Sequence, residues 1–592
     1  MKSDRSVFAR SLIALLLLAM SCGLVAAQST GKAAGPAALR ALKTRPERTN
    51  YAETSRYQDV IDFMNTVDAA SPRIHLTSYG YTFEGRALPL AVIGAKDASP
   101  EAVKASGKTR IYVQGNIHAG EVEGKEACLE LLRAIALGQH AGWFNNLVLL
   151  INPIYNADGN EKINLTNRGS QNGPVGGMGQ RANAQDYDLN RDFMKLDAPE
   201  SRSFELMMAR YDPHIVVDLH TTDGSAHAYQ LTYAPPLHPL TSQSVTEFLR
   251  NGLLPAVTKV IRAKDDMDFY YYGNISGGAR GGMGGGRGDM PGARGAAAAG
   301  RGDVTTGRGT APPARGAMPG GRGGVPGERA FFTTEPTARF GINMVGLRNR
   351  MGMLAEIFSY MPFQDRIKAA RRFVEEICNY AQVHAAEIRQ AAEEADHQSI
   401  AGKEVALRGR AVRSAEQVEI LMGEVTTEKN PYTGANMRRR ISTRTPEKIY
   451  QYISFEPSET TLAPKLYLVP ATLRFALDRI EAHGIAFSRL DQTAKLQVEQ
   501  YRIESSTLAE REYEGHRMRT ITGKWEPAEV EVSAGTIVVP VDQPLGRLAL
   551  MLLEPRSEDS LAAWGLLDDV LERVKPEFYP VLRTPEAAPA SK

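Results

Sequence analysis

Four short, nearly unbroken apolar runs recur between residues 109 and 360: "TRIYVQG", "NLVLLINPIYN", "HIVVDLH" and "GMLAEIFSY". A strand with one face in water alternates apolar and polar side chains, so a continuous run of this length is a strand covered on both faces. Helical patterns separate the runs; "EGKEACLELLRAIALG", for example, repeats its apolar residues at three- and four-residue intervals. Covered strands joined by helices assemble into a mostly parallel sheet with helices on either side. Residues 53–400 are therefore predicted to form an α/β domain around a mixed, mostly parallel sheet, closed by one long amphipathic helix over 366–396.

The 592-residue chain extends well beyond that unit. From residue 401 to 592 it turns richer in Thr and Val, with strand patterns in "KIYQYISF", "PKLYLVP", "LQVEQYRIES" and "GTIVVPV" and helical ones in "TLRFALDRIEAHG" and "SLAAWGLLDDVLERV". A smaller C-terminal α+β accessory domain is predicted there. Cys128 and Cys378 both fall in apolar helical patterns and are expected to be buried free thiols.

At the other end, Lys2, Arg5 and Arg10 precede an apolar core from Leu12 to Met20 and a Val25-Ala26-Ala27 ending. That core is about half of what a membrane span requires, so residues 1–27 read as a secretory signal peptide. Cys22 has Ala19 rather than Leu three residues before it, a poor context for a lipid anchor. The mature chain is expected to be exported, periplasmic or secreted, without a membrane span. Residues 28–52 read as a flexible leader.

Between 277 and 329 the composition shifts to Gly, Ala, Arg and Pro, with arginine at 280, 287, 294, 301, 308, 315, 322 and 329. A period of seven suggests a coiled coil, but Gly and Pro occupy the positions that would have to be apolar. The segment is read as a disordered surface insertion, which costs little closure entropy. It lacks the aromatics that stack on bases, and the net charge is only +2, so no nucleic-acid partner is expected.

The chemistry gathers at predicted strand ends. His118 closely follows "RIYVQG", and Glu121 lies three residues on, where the next helix begins. The carboxyl ends of strands in open α/β sheets are where ligands bind, and imidazole with carboxylate suits zinc. Spacing alone is weak: "VHAAEIR" repeats it at His384 and Glu387, but inside an amphipathic helix, where a surface pair is the expectation. His220 ends "HIVVDLH" and supplies a third candidate ligand, leaving one position open for water.

Between these histidines, "GQRANAQDYDLNRDF" crowds Arg181, Asp188, Asn190 and Arg191 into one loop. Asn190 and Arg191 offer a fork for a carboxylate, with Arg181 a second cation nearby. Glu356 stands inside the otherwise apolar "GMLAEIF", a costly place for a carboxylate unless it faces a cleft, and is the candidate general base.

In this order, His118-x-x-Glu121, Arg181, Asp188-x-Asn190-Arg191, His220 and Glu356 resemble the carboxypeptidase A-like zinc metallocarboxypeptidases, and the later segments "PKLYLVP", "EAHGI" and "LLEPRSEDSLAAWG" resemble the trailing domain of large exported bacterial members. "RANAQDYDLNR" is close to the R-x-N-A-x-G-x-D-L-N-R run of regulatory-type members, with Asp186 where that run has Gly. The resemblance implies one Zn²⁺ per chain held by His118, Glu121 and His220, with Asp188 orienting His118. It implies that Asn190 and Arg191 bind the terminal carboxylate of a peptide, that Arg181 polarises the scissile carbonyl, and that Glu356 deprotonates a zinc-activated water. An alternative with the same zinc core is an amidase or deacylase acting on cell-wall peptides or N-acyl amino acids. The family's substrate-closing tyrosine is absent between Arg329 and Glu356, leaving Tyr270, Tyr271 or Tyr272 as replacements.

Overall fold

The computed structural model describes residues 36–222, 227–276 and 328–584. The signal peptide and nearly all of the Arg-Gly insertion lie outside these residues.

Eight strands form the central sheet in the order β1-β2-β4-β3-β5-β10-β6-β7. They are β1 (Ile74–Tyr81), β2 (Ala87–Ile93), β3 (Thr109–Gly115), β4 (Leu147–Asn152), β5 (Ile215–Thr221), β6 (Leu231–Ala234), β7 (Phe269–Tyr271) and β10 (Met351–Ile357). Between β7 and β10 in the chain, the short strands β8 (Asn274–Ser276) and β9 (Ala330–Phe332) pair antiparallel with each other outside this sheet. The central strands β4, β3, β5 and β10 run parallel, while β1, β2 and β6 add antiparallel pairings. The predicted mixed, mostly parallel sheet is what forms, and all four apolar runs lie in its middle.

Both faces are covered, as the apolar runs require. Ile111, Val113, Leu149, Val217 and Met353 project into one core with helices α1 (Tyr57–Ala70), α2 (Glu123–Ala136), α4 (Leu254–Asp265), α6 (Phe363–Val383) and α7 (Ala385–His397). Tyr112, Val148 and Val216 project the opposite way, toward α3 (Pro199–Tyr211) and α5 (Gly341–Leu347). The second core is continuous with the C-terminal region: Tyr467, Val539 and Leu550 pack in the same cluster as Val216 and Met344. The C-terminal segment thus shares the face of the sheet toward which the even-numbered side chains of β5 point.

That segment holds β11 (Glu404–Val412), β12 (Val418–Met422), β13 (Val425–Lys429), β14 (Asn436–Arg440), β15 (Thr445–Tyr452), β16 (Ser454–Leu462), β17 (Leu466–Val469), β18 (Ser488–Arg489), β19 (Ala494–Leu508), β20 (Arg519–Val532), β21 (Ile537–Pro540) and β22 (Leu582–Thr584). Its helices are α8 (Arg474–Ala482) and α9 (Gly546–Leu553), plus one turn at Asp568–Leu571. β19 and β20 form a long antiparallel ribbon.

Three local expectations are corrected. The closing helix is two helices, α6 and α7, which break at His384. The helix expected over 560–574 is mostly turns, and the helix lies earlier, in "GRLALMLL", whose eight residues, Arg547 included, are all buried. Part of the expected mobile leader is ordered: Thr44 and Glu47 form a reciprocal capping box, and Glu47 also receives a two-pronged bond from Arg133. Cys128 and Cys378 are buried and free, as expected. No helix among the described residues is long and apolar enough to cross a membrane.

Candidate metal centre

His118 and Glu121 sit in the connection between β3 and α2. The chain leaves β3 through Asn116, whose φ of 67° turns it sharply, and the Asn116 side-chain amide donates to the Glu121 carbonyl. Two glycines let the start of α2 press against the sheet. A Cβ at Gly115 would lie 2.8 Å from the Gly124 backbone, and one at Gly124 only 2.6 Å from the Leu219 side chain. This close approach carries Glu121 to the end of β5, where the Thr221 backbone N–H donates to Glu121 Oε2 at 3.0 Å.

His220 is the penultimate residue of β5, and Glu356 the penultimate residue of β10; the two are register partners on adjacent parallel strands, so they share a face. The three predicted ligands converge. His118 Nδ1 lies 3.0 Å from Glu121 Oε1 and 3.2 Å from His220 Nδ1, and His220 Nδ1 lies 3.1 Å from Glu121 Oε2. All three residues are buried. They are the one set of three or more His, Cys, Asp or Glu with this convergence among the described residues.

The outer nitrogens show what the inner atoms want. His118 Nε2 faces Asp188 Oδ1 at 2.9 Å, and His220 Nε2 faces Asp218 Oδ2 at 2.8 Å. Ionised carboxylates only accept, so each imidazole places its proton on Nε2. Both Nδ1 lone pairs then point at each other and at the Glu121 carboxylate. Three acceptors about 3 Å apart repel unless a cation lies among them. A proton on His220 is one such cation: burial lowers its pKa, but the Asp218 and Glu121 carboxylates raise it well above its ordinary value. A metal ion is the other, and the separations fall slightly short of the ~3.3–3.6 Å edges of a zinc tetrahedron with bonds of about 2.0–2.2 Å. The residues fit the ion that the sequence implies.

The charges around the centre keep its carboxylates ionised. Burial pushes the Glu121 carboxyl up, but its interactions with His118, Arg168 and His220 outweigh it and hold the group well below the usual range. Burial acts on Asp188 in the same sense and is overcome by Arg181 and Arg191. Arg168 Nη2 donates to Glu121 Oε1 at 2.7 Å, and Arg181 Nε and Nη2 both donate to Asp188 Oδ2, at 3.1 and 2.8 Å.

The arginine loop is set by local rules. Asp188 caps the turn Leu189–Arg191, its Oδ1 accepting from the Asn190 N–H. Asp186, standing where the family run has Gly, has a φ of 63°, a conformation that Asp tolerates better than most side chains. The Asn190 side-chain oxygen accepts from the Gly341 N–H at the start of α5, and the Arg191 guanidinium lies 4.0 Å over the Phe340 ring. In α5's first turn, Ile342 packs with Leu354, Ala234 and Tyr272. Leu354 precedes Glu356 by two residues, on the same face, so an apolar wall runs from Arg191 toward Glu356.

Of the replacement tyrosines, Tyr272 belongs to this wall. Tyr270 instead donates to Gln451 and stacks on Tyr229, and Tyr271 packs against Tyr233 beneath Arg250. The second His-x-x-Glu pair, His384 and Glu387, is a surface contact of 2.8 Å, as its helical context implied.

Four neighbours escaped the sequence reading. Asp218 was legible, since it lies two residues before His220 on the same strand and therefore on the same face. Arg168, Tyr513 and Glu514 have no such local signal. Glu514 Oε2 accepts from the Asp188 N–H at 2.8 Å, and the Tyr513 phenol lies in the field of Arg191 and Arg339.

The zinc carboxypeptidase family model matches residues 60–215, a span that contains His118, Glu121 and the whole arginine loop. The chain carries a zinc carboxypeptidase domain. This carboxypeptidase is 23% identical over 494 residues to Carboxypeptidase 2 of Trichophyton rubrum, covering 82% of this chain and 78% of the relative. It is 32% identical over 139 residues to Probable carboxypeptidase 2 of Trichophyton verrucosum (strain HKI 0517), covering 23% and 24%. Among solved structures, a metallo-carboxypeptidase from Burkholderia cenocepacia aligns with 57% of this chain and 71% of its own at 14% identity, with a TM-score of 0.36. The carboxypeptidase is thus a hydrolase.

Proposed function

We propose that this carboxypeptidase removes residues one at a time from the free C-terminus of peptides, with one Zn²⁺ held by His118, Glu121 and His220. The convergence of their three inward-facing acceptor atoms, backed by Asp188 and Asp218, carries the reading. When bound, the ion would supply a Lewis acid that lowers the pKa of a water and polarises a carbonyl.

The chain's own groups do the rest. Arg191, braced on Phe340, and Asn190, braced on Gly341, hold the substrate's terminal carboxylate. The side chain of the departing residue then lies along Tyr272, Ala234, Ile342 and Leu354, a lining that suits an apolar residue. Arg181, bound to Asp188 through Nε and Nη2, holds Nη1 3.6 Å from Glu121 Oε1 beside the proposed metal position, from where it stabilises the oxyanion of the scissile carbonyl. Glu356, beside His220 on the neighbouring strand, takes the proton from the attacking water and delivers it to the leaving amine. The basic start, apolar core and small-residue ending of residues 1–27 support export.

The test is Glu356→Gln, which keeps the shape of the side chain and removes its basicity. Zinc content near one per chain should be retained while turnover of C-terminally unblocked peptides falls by about 10²–10⁴-fold. Undiminished turnover would assign the base elsewhere, and wild-type protein fully active after metal removal would overturn the zinc assignment.

A further inference from the structure

The turn joining β19 and β20 is built to a fixed shape and docked on the arginine loop. Tyr513 and His516 exchange backbone bonds, Tyr513 N–H to His516 O at 2.7 Å and His516 N–H to Tyr513 O at 3.0 Å. The two residues between them have positive φ, 50° at Glu514 and 81° at Gly515. Glycine is required at the second: a Cβ there would stand 2.9 Å from the Tyr187 ring. His516 Nε2 meets Asp197 Oδ2 at 2.6 Å, so the turn grips the loop at both ends, from Tyr187 to Asp197. Tyr513 stacks on Trp564, which fixes it from behind.

At the centre of this contact the Glu514 carboxylate accepts the Asp188 N–H. Asp188 is the residue whose side chain receives His118 Nε2. Its position is set by three anchors: Glu514 on its backbone, Arg181 on Oδ2 and the Asn190 N–H on Oδ1. The first of these comes from 326 residues further along the chain.

We propose that Glu514, presented by the C-terminal region, is a positioning residue for the metal centre that acts through Asp188 on His118. The C-terminal region is then a working part of the site and not an appended module. The inference rests on the zinc reading above and deepens it.

The experiment measures zinc affinity of the full-length protein by competition with a chromogenic chelator, alongside the visible spectrum of the Co²⁺-substituted enzyme and thermal melts. Removing an outer partner of a metal ligand costs about 10–100-fold in affinity, and Glu514 lies one bond further out, so Glu514→Ala should weaken zinc binding about tenfold and shift the cobalt spectrum. Glu514→Gln keeps a side-chain oxygen to accept the Asp188 N–H and should bind zinc as the wild type does. If the alanine variant does not fold, Glu514→Ser, polar but too short to reach Asp188, takes its place with the same expectation. Unchanged zinc affinity and spectrum in the alanine or serine variant would overturn the proposal. Equal losses in the glutamine and alanine variants, matched by equal falls in melting temperature, would also overturn it, by reducing Glu514 to scaffold. Wild-type protein that binds no zinc would bring down the metal reading and this inference together.

Discussion

Asp188→Asn separates the two duties that the structure gives one carboxylate. Four N–H donors converge on Asp188: His118 Nε2 and the Asn190 backbone on Oδ1, and Arg181 Nε and Nη2 on Oδ2. An asparagine has one acceptor oxygen and an amide that only donates, so in either orientation its NH₂ confronts two donors. The oxygen goes where the backbone cap and His118 require it, and Arg181 is released. Loss of charge behind His118 should weaken zinc by about 10–100-fold, equivalent to about 1.4–2.7 kcal/mol. The freed arginine no longer waits in position for the oxyanion, and loss of one such donor costs about 10²–10³ in kcat.

Zinc-saturated Asp188→Asn should therefore show kcat reduced about a hundredfold, on top of its weaker metal binding. Asp218→Asn is the comparison. Asp218 backs His220 in the same manner, but its other bond comes from Gln114 and it touches no arginine, so it should weaken zinc and leave saturated kcat much closer to wild type. Chelator competition gives the affinities, and peptide hydrolysis with detection of the released amino acid gives the rates. If the two variants have the same kcat at saturating zinc, Arg181 is not positioned by Asp188. If neither changes zinc affinity by more than about threefold, the outer carboxylates do not tune the ligands.

Amidating the C-terminus of a good substrate should raise KM strongly, and Arg191→Ala should erase the difference between free and amidated peptides; an enzyme indifferent to amidation would point to an amidase in place of a carboxypeptidase. Burial raises the Glu200 carboxyl from 4.5 to about 7. A group raised on folding contributes stability below its unfolded value and loses it as pH climbs through its folded value, so wild-type melting temperature should decline from pH 5 to 8 and Glu200→Gln should flatten that decline. Equal slopes would show that Glu200 is not titrating there. Finally, β8 and β9 pair directly, Asn274 opposite Phe332, so replacing residues 277–327 by a short turn should leave the melting temperature unchanged; a large drop would mean the segment carries folding energy.

The sequence alone determined the sheet and marked the residues that the structure brings together. Covered strands announce themselves because an apolar run is a local property, and His118, Glu121, His220 and Glu356 were marked by their places within or just after such runs. Asp186 was noticed only as a departure from glycine; the structure shows the positive φ that makes the position special. Short or broken elements escaped the reading: α9 is only eight residues long and buried throughout, and α6 and α7 break at His384 within what reads as one helical pattern.

Only the tertiary structure decided which nitrogen of each histidine turns inward, which arginine meets which carboxylate, and that the β19–β20 turn reaches Asp188. Those outcomes depend on surfaces hundreds of residues apart meeting in one register, Glu514 on Asp188 and His516 on Asp197. Hydrophobic spacing records how a segment lies against its own core; it holds no trace of which distant turn will dock on its polar edge. In this protein that docking joins the C-terminal region to the candidate metal centre.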